Sequence, residues 1–335
     1  MCSRPMRDIR LSICIPTYNF GEFIGETLQS IIGQGSHDVE IIIGDGGSTD
    51  NTAEVVKRCQ SDFPGLVYHN FGKKGGVDLD LSKTVELARG DYCWLLSSDD
   101  ALKPGAIQRA LSEIQLGHDV YLLNRTTCDR NLRPIGRNEQ WLSNGTSDSV
   151  YHFSDKTELV TYLNASKSIG ALFSYISSII FIRNEWTKIG FDERFARSNY
   201  AHVFRLFSML KVGGSTLKYI KESLVFCRGD NDSFLDKGLA NRFLMDFDGY
   251  RLLEEFLFLD EETRDAFEGV MRRHHRWYSL SRLKGEVADD RKWKELENTL
   301  SSYGYGSREL FLINMLGSSK LLVGSLRSIK RILQT

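Results

Sequence analysis

The sequence predicts an α/β fold, a mainly parallel sheet flanked by helices, followed by a helical C-terminal extension. From Leu11 to about Asn124 short apolar runs alternate with longer amphipathic ones, which is typical of βαβ units. The apolar run Tyr92–Leu96 ends in Ser-Ser-Asp-Asp, which places two carboxylates just past a buried strand. Beyond about Phe234 the pattern becomes mainly helical, so we predict two domains, 1–233 and 234–335.

Periodicity and turn residues define the predicted elements. We predict strands at Leu11–Ile15, Val39–Ile43, Leu66–His69, Tyr92–Leu96, Val120–Leu123 and Leu172–Ile182. We predict helices at Glu22–Gln34, Asn51–Ser61, Asp78–Ala88, Tyr200–Leu210, Arg242–Phe258, Glu261–Leu283 and Asp289–Ser301. The polar, turn-rich stretch Asp129–Asp155 is predicted to form loops and short strands.

The composition excludes several classes of protein. The 335 residues carry 43 Lys and Arg against 44 Asp and Glu, a net charge of -1, so we expect no nucleic-acid partner. The six cysteines are scattered without a Cys-x-x-Cys pair, which favours a reducing, cytoplasmic location. We expect neither secretion nor membrane spanning, because the chain lacks an apolar signal region and any run of eighteen apolar residues.

Three predicted strands end in polar residues that should meet. The first strand runs into Pro16-Thr17-Tyr18, the second into Gly44–Asp50, and the fourth into Ser98-Asp99-Asp100. Parallel strands share one carboxyl edge, where α/β proteins bind ligands, and hard divalent cations prefer carboxylate oxygens. Each segment alone is explained equally well as an ordinary turn or as the start of a helix. The prediction of a site for a metal and a diphosphate therefore depends on all three segments meeting at one edge.

The ordered motifs also carry a family resemblance. Ile-Pro-Thr-Tyr-Asn, then Asp-Gly-Gly-Ser-Thr-Asp-Asn-Thr, then Ala-Arg-Gly-Asp-Tyr-Cys-Trp-Leu-Leu-Ser-Ser-Asp-Asp, resemble family 2 glycosyltransferases of the GT-A fold. The likeness is good to about residue 125 and looser to about residue 230. The segments Lys73–Asp78 and Cys227–Asp232 are similar to bacterial sequences called abequosyltransferase-like.

The resemblance implies transfer of a sugar from a nucleotide-diphosphate sugar, linked to CDP or UDP, to a glycan or lipid-linked acceptor in bacterial surface polysaccharide (O-antigen or capsule) synthesis. It implies that Asp100 ligates Mg²⁺ or Mn²⁺ and that Asp99 faces the ribose or shares the metal. It further implies that Tyr18 stacks on the base, that Asp45 approaches the base or ribose, and that Pro16, Thr17 and Ser98 line the donor site. The residues themselves add Lys74 and Gly76, in a basic glycine loop that could reach phosphate, and Asp78 near the base. Arg228 could clamp the diphosphate or the acceptor, or form a structural ion pair with a neighbouring Asp.

Two departures from the family pattern concern the base. Relatives with uridine donors often carry Asp-Asp where this chain has Asp45-Gly46, and many carry Arg-Asn where it has Asp80-Leu-Ser82, with Asp78 just ahead. Carboxylates accept hydrogen bonds, so we hypothesise a base that presents an amino group, such as cytosine. The alternative is that Asp78 and Asp80 only favour the start of a helix.

The catalytic base has no obvious candidate. Family members usually place an acid at the start of the helix that corresponds to Tyr200–Leu210, but this chain has Ser198-Asn199 there. An inverting transfer still needs a group that accepts the proton of the acceptor hydroxyl. The candidates in and around this region are His202, Asp192, Glu193, Asp230 and Asp232.

The sequence is also compatible with two other functions and with one further partner. A nucleotidyltransferase would carry a glycine-rich basic loop after the first strand, which Pro16–Asn19 does not supply, whereas a non-catalytic nucleotide-sugar-binding scaffold would explain the missing acid. The basic amphipathic segment within residues 310–335 is typical either of peripheral contact with the inner face of the cytoplasmic membrane or of a packed helix.

Overall fold

The structure is a computed structural model that describes residues 9–35, 37–136, 138–143, 147–230, 238–287 and 289–318. The chain folds into two compact units. The first comprises residues 1–140, 145–155 and 173–230, and the second comprises 141–144, 156–172 and 231–335. The predicted division at residue 233 treats the chain as two continuous pieces, whereas the second unit also includes two short segments that precede residue 173.

The first unit is built on one sheet, which has nine strands within the described residues. The strands are β1 (Leu11–Thr17), β2 (Val39–Asp45), β3 (Leu66–Asn70), β4 (Tyr92–Leu95), β5 (Ala101–Leu102), β6 (Val120–Thr127), β7 (Ser149–Tyr151), β8 (Ile179–Ile182) and β9 (Leu217–Cys227). They lie in the order β3-β2-β1-β4-β8-β6-β9-β5, and β7 pairs with β9. The first four strands in this order are parallel, and β8 is antiparallel to both of its neighbours. The predicted α/β class is therefore confirmed, with a parallel half and a mixed half.

The parallel half follows directly from the sequence. All seven residues of β2 and six of the seven of β1 are buried, as expected for strands that are covered on both faces. The helices of this unit are α1 (Ile24–Ile32), α2 (Thr52–Gln60), α3 (Val77–Glu86), α4 (Ala106–Ile114), α6 (Arg183–Ile189) and α7 (Ala201–Leu210). The parallel register brings Thr17 opposite Asp45, so the polar residues that follow β1 and β2 lie side by side.

A buried carboxylate fixes the opposite edge of the parallel strands. Glu40 of β2 is fully buried, and it accepts hydrogen bonds from the Ser12 hydroxyl at 2.7 Å and from the backbone N–H of Arg89 at 2.6 Å. The Arg89 guanidinium donates two further bonds to its second oxygen. Because every donor comes from β1 or from the turn before β4, this one carboxylate ties three strands together at their amino ends.

The predicted strand Leu172–Ile182 is shorter than expected. Two 3₁₀ turns, Ile169–Leu172 and Ile176–Ser178, replace its first part, and only Ile179–Ile182 pairs in the sheet as β8. Phe173 has a φ of 62°, which interrupts an extended strand. The β-branched and aromatic residues that predicted a strand here instead turn the chain toward the end of β4.

The second unit is helical in its described part. It contains α5 (Lys156–Ala165), α8 (Leu239–Leu257), α9 (Glu261–His274), α10 (Trp277–Glu286), α11 (Asp290–Ser302) and α12 (Ser307–Gly317). The predicted helix Glu261–Leu283 is broken between α9 and α10, where the His275 carbonyl accepts a bond from the Tyr305 hydroxyl at 2.6 Å. Neither Gly nor Pro marks this break, so no local signal in the sequence predicts it. No helix in the described ranges is both long and apolar enough to cross a membrane.

Candidate active site

The loops after β1 and β2 are locked together by side-chain hydrogen bonds. The Asn19 amide oxygen accepts the backbone N–H of Thr49 at 2.7 Å, and the Asn19 N–H donates to the Ser48 hydroxyl at 2.8 Å. Asp50 accepts the Gly21 N–H at 2.9 Å and the N–H of Thr52, the first residue of α2, at 3.0 Å. The two predicted ligand-binding loops therefore form one rigid surface.

Asp45, at the end of β2, is fully buried and bonded within the protein. Its Oδ1 accepts the N–H and the hydroxyl of Ser48, both at 2.7 Å, and its Oδ2 accepts the Tyr68 hydroxyl at 2.6 Å. Burial and the bond to Asp45 raise the pKa of Tyr68 to about 12. Asp45 thus shapes the loop that contains Ser48, and Tyr68 is a member of this network that no sequence motif indicated.

A second carboxylate faces the glycine that follows Asp45. Both oxygens of the buried Asp80 accept the Gly75 N–H at 3.1 Å, and burial raises the pKa of this carboxyl. A Cβ added to Gly46 would come within 2.9 Å of the Asp80 Oδ2. The space that an acidic side chain at position 46 would occupy is therefore filled by a carboxylate from α3.

The predicted stacking residue Tyr18 lies at the same edge. The Lys74 ammonium lies over its ring, 4.0 Å from the ring centroid, and a Cβ on Gly46 would lie 3.6 Å from the Lys74 Cα. Lys74 is exposed, and Tyr18 is half-buried. The neighbouring loop residue Gly76 has a φ of 92°, a conformation that favours glycine, and it immediately precedes α3.

Asp78 has a role that the sequence did not reveal. Its Oδ2 accepts the Asn199 N–H at 2.8 Å, and its Oδ1 accepts the Ala201 N–H at 3.0 Å. Burial raises the pKa of this carboxyl, while these bonds oppose that rise. The side chain therefore caps the N-terminus of α7 from a distant part of the chain, which differs from the implied contact with a base.

The aspartate pair lies just past β4. Asp100 is buried, and its Oδ2 accepts the hydroxyls of Tyr175 and Ser177, both at 2.6 Å, while its Oδ1 accepts the Arg228 N–H at 3.0 Å. Asp99 is half-buried and accepts a hydrogen bond from the Ser97 hydroxyl. Burial, and next the charge of Asp99, raise the pKa of Asp100 to about 7. Two carboxylates thus lie together at the edge where ligands bind.

Residues from the mixed half of the sheet support this pair. The Arg125 guanidinium lies 4.4 Å from the centroid of the Tyr175 ring and donates to Glu139 at 2.7 Å. Tyr175, Ser177 and Arg125 were missed by sequence reasoning, although Tyr175 and Ser177 interrupt an otherwise apolar run. These polar side chains within the apolar run were the signal in the sequence that could have indicated the two residues.

Arg228 is buried and holds the aspartate loop in place. Its Nε donates to the Asp99 carbonyl at 2.7 Å, its other guanidinium donors bond to the Arg130 carbonyl and to Glu26, and the group lies 4.7 Å from the Phe23 ring centroid. The guanidinium that was expected to clamp a diphosphate or acceptor is thus bonded to α1 and to the loop that contains Asp99. Ser98, just ahead of the pair, is buried, and its carbonyl accepts the Thr27 hydroxyl at 3.0 Å.

The predicted catalytic bases do not converge. His202 is buried, its Nε2 lies 2.9 Å from the Phe173 carbonyl, and burial lowers its pKa to about 4. Asp192 is engaged by the Arg194 guanidinium, which lowers its pKa, and Glu193 is exposed beside it. Asp230 is exposed, has a φ of 60°, and lies two residues after Arg228. Asp232 lies outside the described residues.

The fold is an α/β sheet with a pair of aspartates at the carboxyl edge of β4, and comparison with known proteins specifies the class. The model of glycosyl transferase family 2 matches residues 12–189, so the chain belongs to that family and is a glycosyltransferase. It is 38% identical over 273 residues to the abequosyltransferase RfbV of Salmonella typhimurium, covering 80% of this chain and 81% of that protein.

Two further comparisons concern one domain or the fold alone. Over 141 residues the chain is 33% identical to the chondroitin synthase of Escherichia coli, covering 42% of this chain and 20% of that protein. The crystal structure of S. aureus TarS 1-349 in complex with UDP-GlcNAc superposes with a TM-score of 0.63 at 15% identity, covering 95% of this chain and 87% of that one. This likeness confirms the GT-A-like fold.

The raised pKa of Asp100 predicts a specific pH dependence of stability. Its folded-state pKa of about 7 lies above the ordinary value of 3.8, so the folded chain keeps a proton that the unfolded chain releases between these pH values. The stability from this group is fully present below 3.8 and is lost as the pH rises through about 7. After metals are removed with a chelator, the free energy of unfolding measured with urea should fall as the pH rises over this range. The fall should be larger in the wild type than in Asp100→Asn. Parallel pH profiles of the two proteins would contradict this.

Proposed function

We propose that the enzyme transfers a sugar from a nucleotide-diphosphate donor with the assistance of a divalent cation, Mg²⁺ or Mn²⁺. The observation that carries the proposal is the pair Asp99 and Asp100 at the carboxyl edge of β4, where Asp100 is held by three hydrogen bonds. Such an edge is the usual binding place for nucleotide ligands in α/β proteins.

The residues present fit a hard divalent cation. Oxygen ligands of carboxylates are those that Mg²⁺ and Mn²⁺ take in proteins. The half-buried Asp99 would be the more accessible ligand and Asp100 the buried one. A bound cation of this kind would offset the negative charge of the departing diphosphate. The raised pKa of Asp100 supports this assignment, because a cation next to the pair would relieve the cost of ionising two adjacent carboxyls.

The geometry also supports a donor whose base presents an amino group. Tyr18 offers a ring for stacking, and the Asp80 carboxylate lies beside Gly46 at the same edge. A carboxylate accepts hydrogen bonds and donates none when ionised, so it favours the amino group of cytosine over the carbonyl of uracil at the same position. We therefore propose a CDP-linked donor, with a UDP-linked donor as the alternative.

The proton of the acceptor hydroxyl requires a base, and Asp230 is the candidate that the geometry favours. Asp230 is exposed, whereas His202 is buried and Asp192 is paired with Arg194. It follows the Arg228-Gly229 turn, in which a Cβ on Gly229 would lie 2.6 Å from the Cys128 carbonyl, so the turn that leads to Asp230 is closely packed. The Arg228 N–H binds Asp100, which connects this turn to the aspartate pair.

The relatives support a proposal for the sugar, the acceptor and the cellular setting. Because the chain resembles an abequosyltransferase over most of its length, we propose a hexose or deoxyhexose donor and a glycan or lipid-linked acceptor in bacterial surface polysaccharide (O-antigen or capsule) synthesis in the cytoplasm. Peripheral contact with the inner face of the membrane stays a prediction, since residues 319–335 lie outside the described part of the chain. In the described part, α12 exposes Phe311, Leu312 and Met315.

The aspartate pair gives a direct test of metal-assisted transfer. We expect Asp99→Asn to lower the Mn²⁺-stimulated release of nucleoside diphosphate from the donor by about 100-fold or more, because the variant loses a ligand of the cation that would offset the charge of the leaving diphosphate. The matched control is Asp62→Asn, an exposed aspartate just after α2, which should release product at close to the wild-type rate. Donor binding by the wild type without metal-dependent release would instead support the non-catalytic scaffold.

The assignment of the base is tested on the acceptor side. Asp230→Asn should lower the rate of sugar transfer by about 100-fold or more while leaving the affinity for the nucleotide diphosphate unchanged, since a base acts on the acceptor hydroxyl. Asp62→Asn, at an exposed aspartate just after α2, serves as the control and should retain its transfer rate, and Glu193→Gln tests the other exposed candidate, which should also retain it. Normal transfer by Asp230→Asn would exclude this residue as the base.

Calorimetry with free nucleotides tests the preference for the base. We expect CDP to bind more tightly than UDP in the presence of Mn²⁺. Asp80→Asn should weaken CDP binding by about tenfold, the typical value of a hydrogen bond to a charged group, and affect UDP much less. Tighter binding of UDP to the wild type would overturn the proposed CDP donor and leave the transferase assignment intact.

A further inference from the structure

A cluster of metal-ligating side chains lies in the helical unit, separate in sequence from the aspartate pair. It consists of Asp246 on α8, His274 at the end of α9, and the next residue, His275. Each offers one ligand atom, and these three atoms all lie within 4.8 Å of one another. The Asp246 Oδ2 lies 3.9 Å from the His275 Nε2.

His275 supplies the observation that points to a ligand. Its side chain is only 5% exposed, and its Nε2 has no hydrogen-bond partner among the residues that the structure describes. The rings of Phe243 and Phe247 lie with their centroids 4.9 and 4.8 Å from the imidazole centroid. Leaving a buried imidazole nitrogen without a partner costs free energy, and proteins rarely do so without a reason. The nitrogen faces the Asp246 carboxylate at a distance that is too long for a hydrogen bond.

We propose that Asp246, His274 and His275 form a binding site for Zn²⁺ or a similar divalent ion that prefers imidazole. Two imidazole nitrogens and one carboxylate oxygen are a common ligand set for Zn²⁺ in proteins, whereas Mg²⁺ prefers oxygen ligands only. Tetrahedral bonds of about 2.0–2.1 Å place ligand atoms roughly 3.4 Å apart, so small side-chain rotations would close the site. His274 is exposed, which gives the ion access from solvent and leaves a fourth position for water.

The surroundings hold the ligands in position. The Arg242 guanidinium bonds to the Asp246 Oδ1, while Oδ2 is the oxygen on the side of His275. The Tyr305 hydroxyl donates to the His275 carbonyl at the break between α9 and α10. Hydrogen bonds of this kind orient metal ligands in known sites. The ion would therefore link α8 to the junction of α9 and α10 and stabilise the helical unit.

The test measures Zn²⁺ binding to the full-length protein after removal of metals with a chelator. In competition with a chromogenic chelator, the wild type should bind one Zn²⁺ per chain at the site that includes His274. Excess Mg²⁺ should not displace this Zn²⁺. The same Zn²⁺ addition should raise the midpoint of thermal unfolding. His274→Ala should weaken binding by at least about 10–100-fold, the loss that even an outer-shell change produces. Because His274 is exposed, this variant is expected to fold normally, which circular dichroism checks.

Matched variants separate this site from other sources of binding. His69→Ala removes an exposed histidine of β3 and should bind Zn²⁺ as the wild type does, and Asp99→Asn should also retain this Zn²⁺. Asp246→Asn removes the carboxylate ligand and should weaken binding as His274→Ala does. Equal Zn²⁺ affinity in the wild type and in His274→Ala, or no Zn²⁺-dependent rise in thermal stability, would overturn the proposal.

Discussion

The first unit depends on the buried carboxyl group of Asp100. Its three hydrogen bonds connect the end of β4 to the turn that contains Tyr175 and Ser177, and to the end of β9. The parallel half of the sheet and the mixed half are also joined by the pairing of β4 with β8. Burying a carboxyl is costly unless its oxygens are bonded, so the three donors are a condition for the fold as well as for the site.

The same arrangement explains why the site is rigid on one side. Asn19 and Asp50 each bond to the backbone of the other's loop, Asp45 bonds to the backbone within its own loop, and Arg228 holds the carbonyl of Asp99. These side chains stabilise loops that carry the ligand-binding surface. Polar residues in the family motifs therefore divide into those that shape the loops and those, such as Tyr18 and Asp99, that remain partly accessible to a ligand.

The sequence was sufficient for the parallel strands and for the ends at which they meet, because their buried runs and turn residues are local signals. The sequence was insufficient for hydrogen bonds between residues that lie far apart in the chain. Asp100 bonds to Tyr175 and Ser177, 75 and 77 residues away, and Asp78 caps a helix that begins more than 120 residues later. For the same reason the sequence did not show that His202 is buried, which lowers its pKa to about 4. No periodicity reports burial by distant segments.

Asp80 shows how a carboxylate can reach the edge beside Gly46 from a different element of the fold. The chain has glycine at position 46, where relatives with uridine donors carry a second acid, yet the Asp80 carboxylate fills the adjacent space from α3. A side chain at position 46 would therefore require the Asp80 carboxylate to move. The charge is thus retained at this edge but reaches it from a different element and direction. A different direction of approach changes which atoms of a base a carboxylate can contact, and this is the physical ground for the proposed preference for a CDP-linked donor.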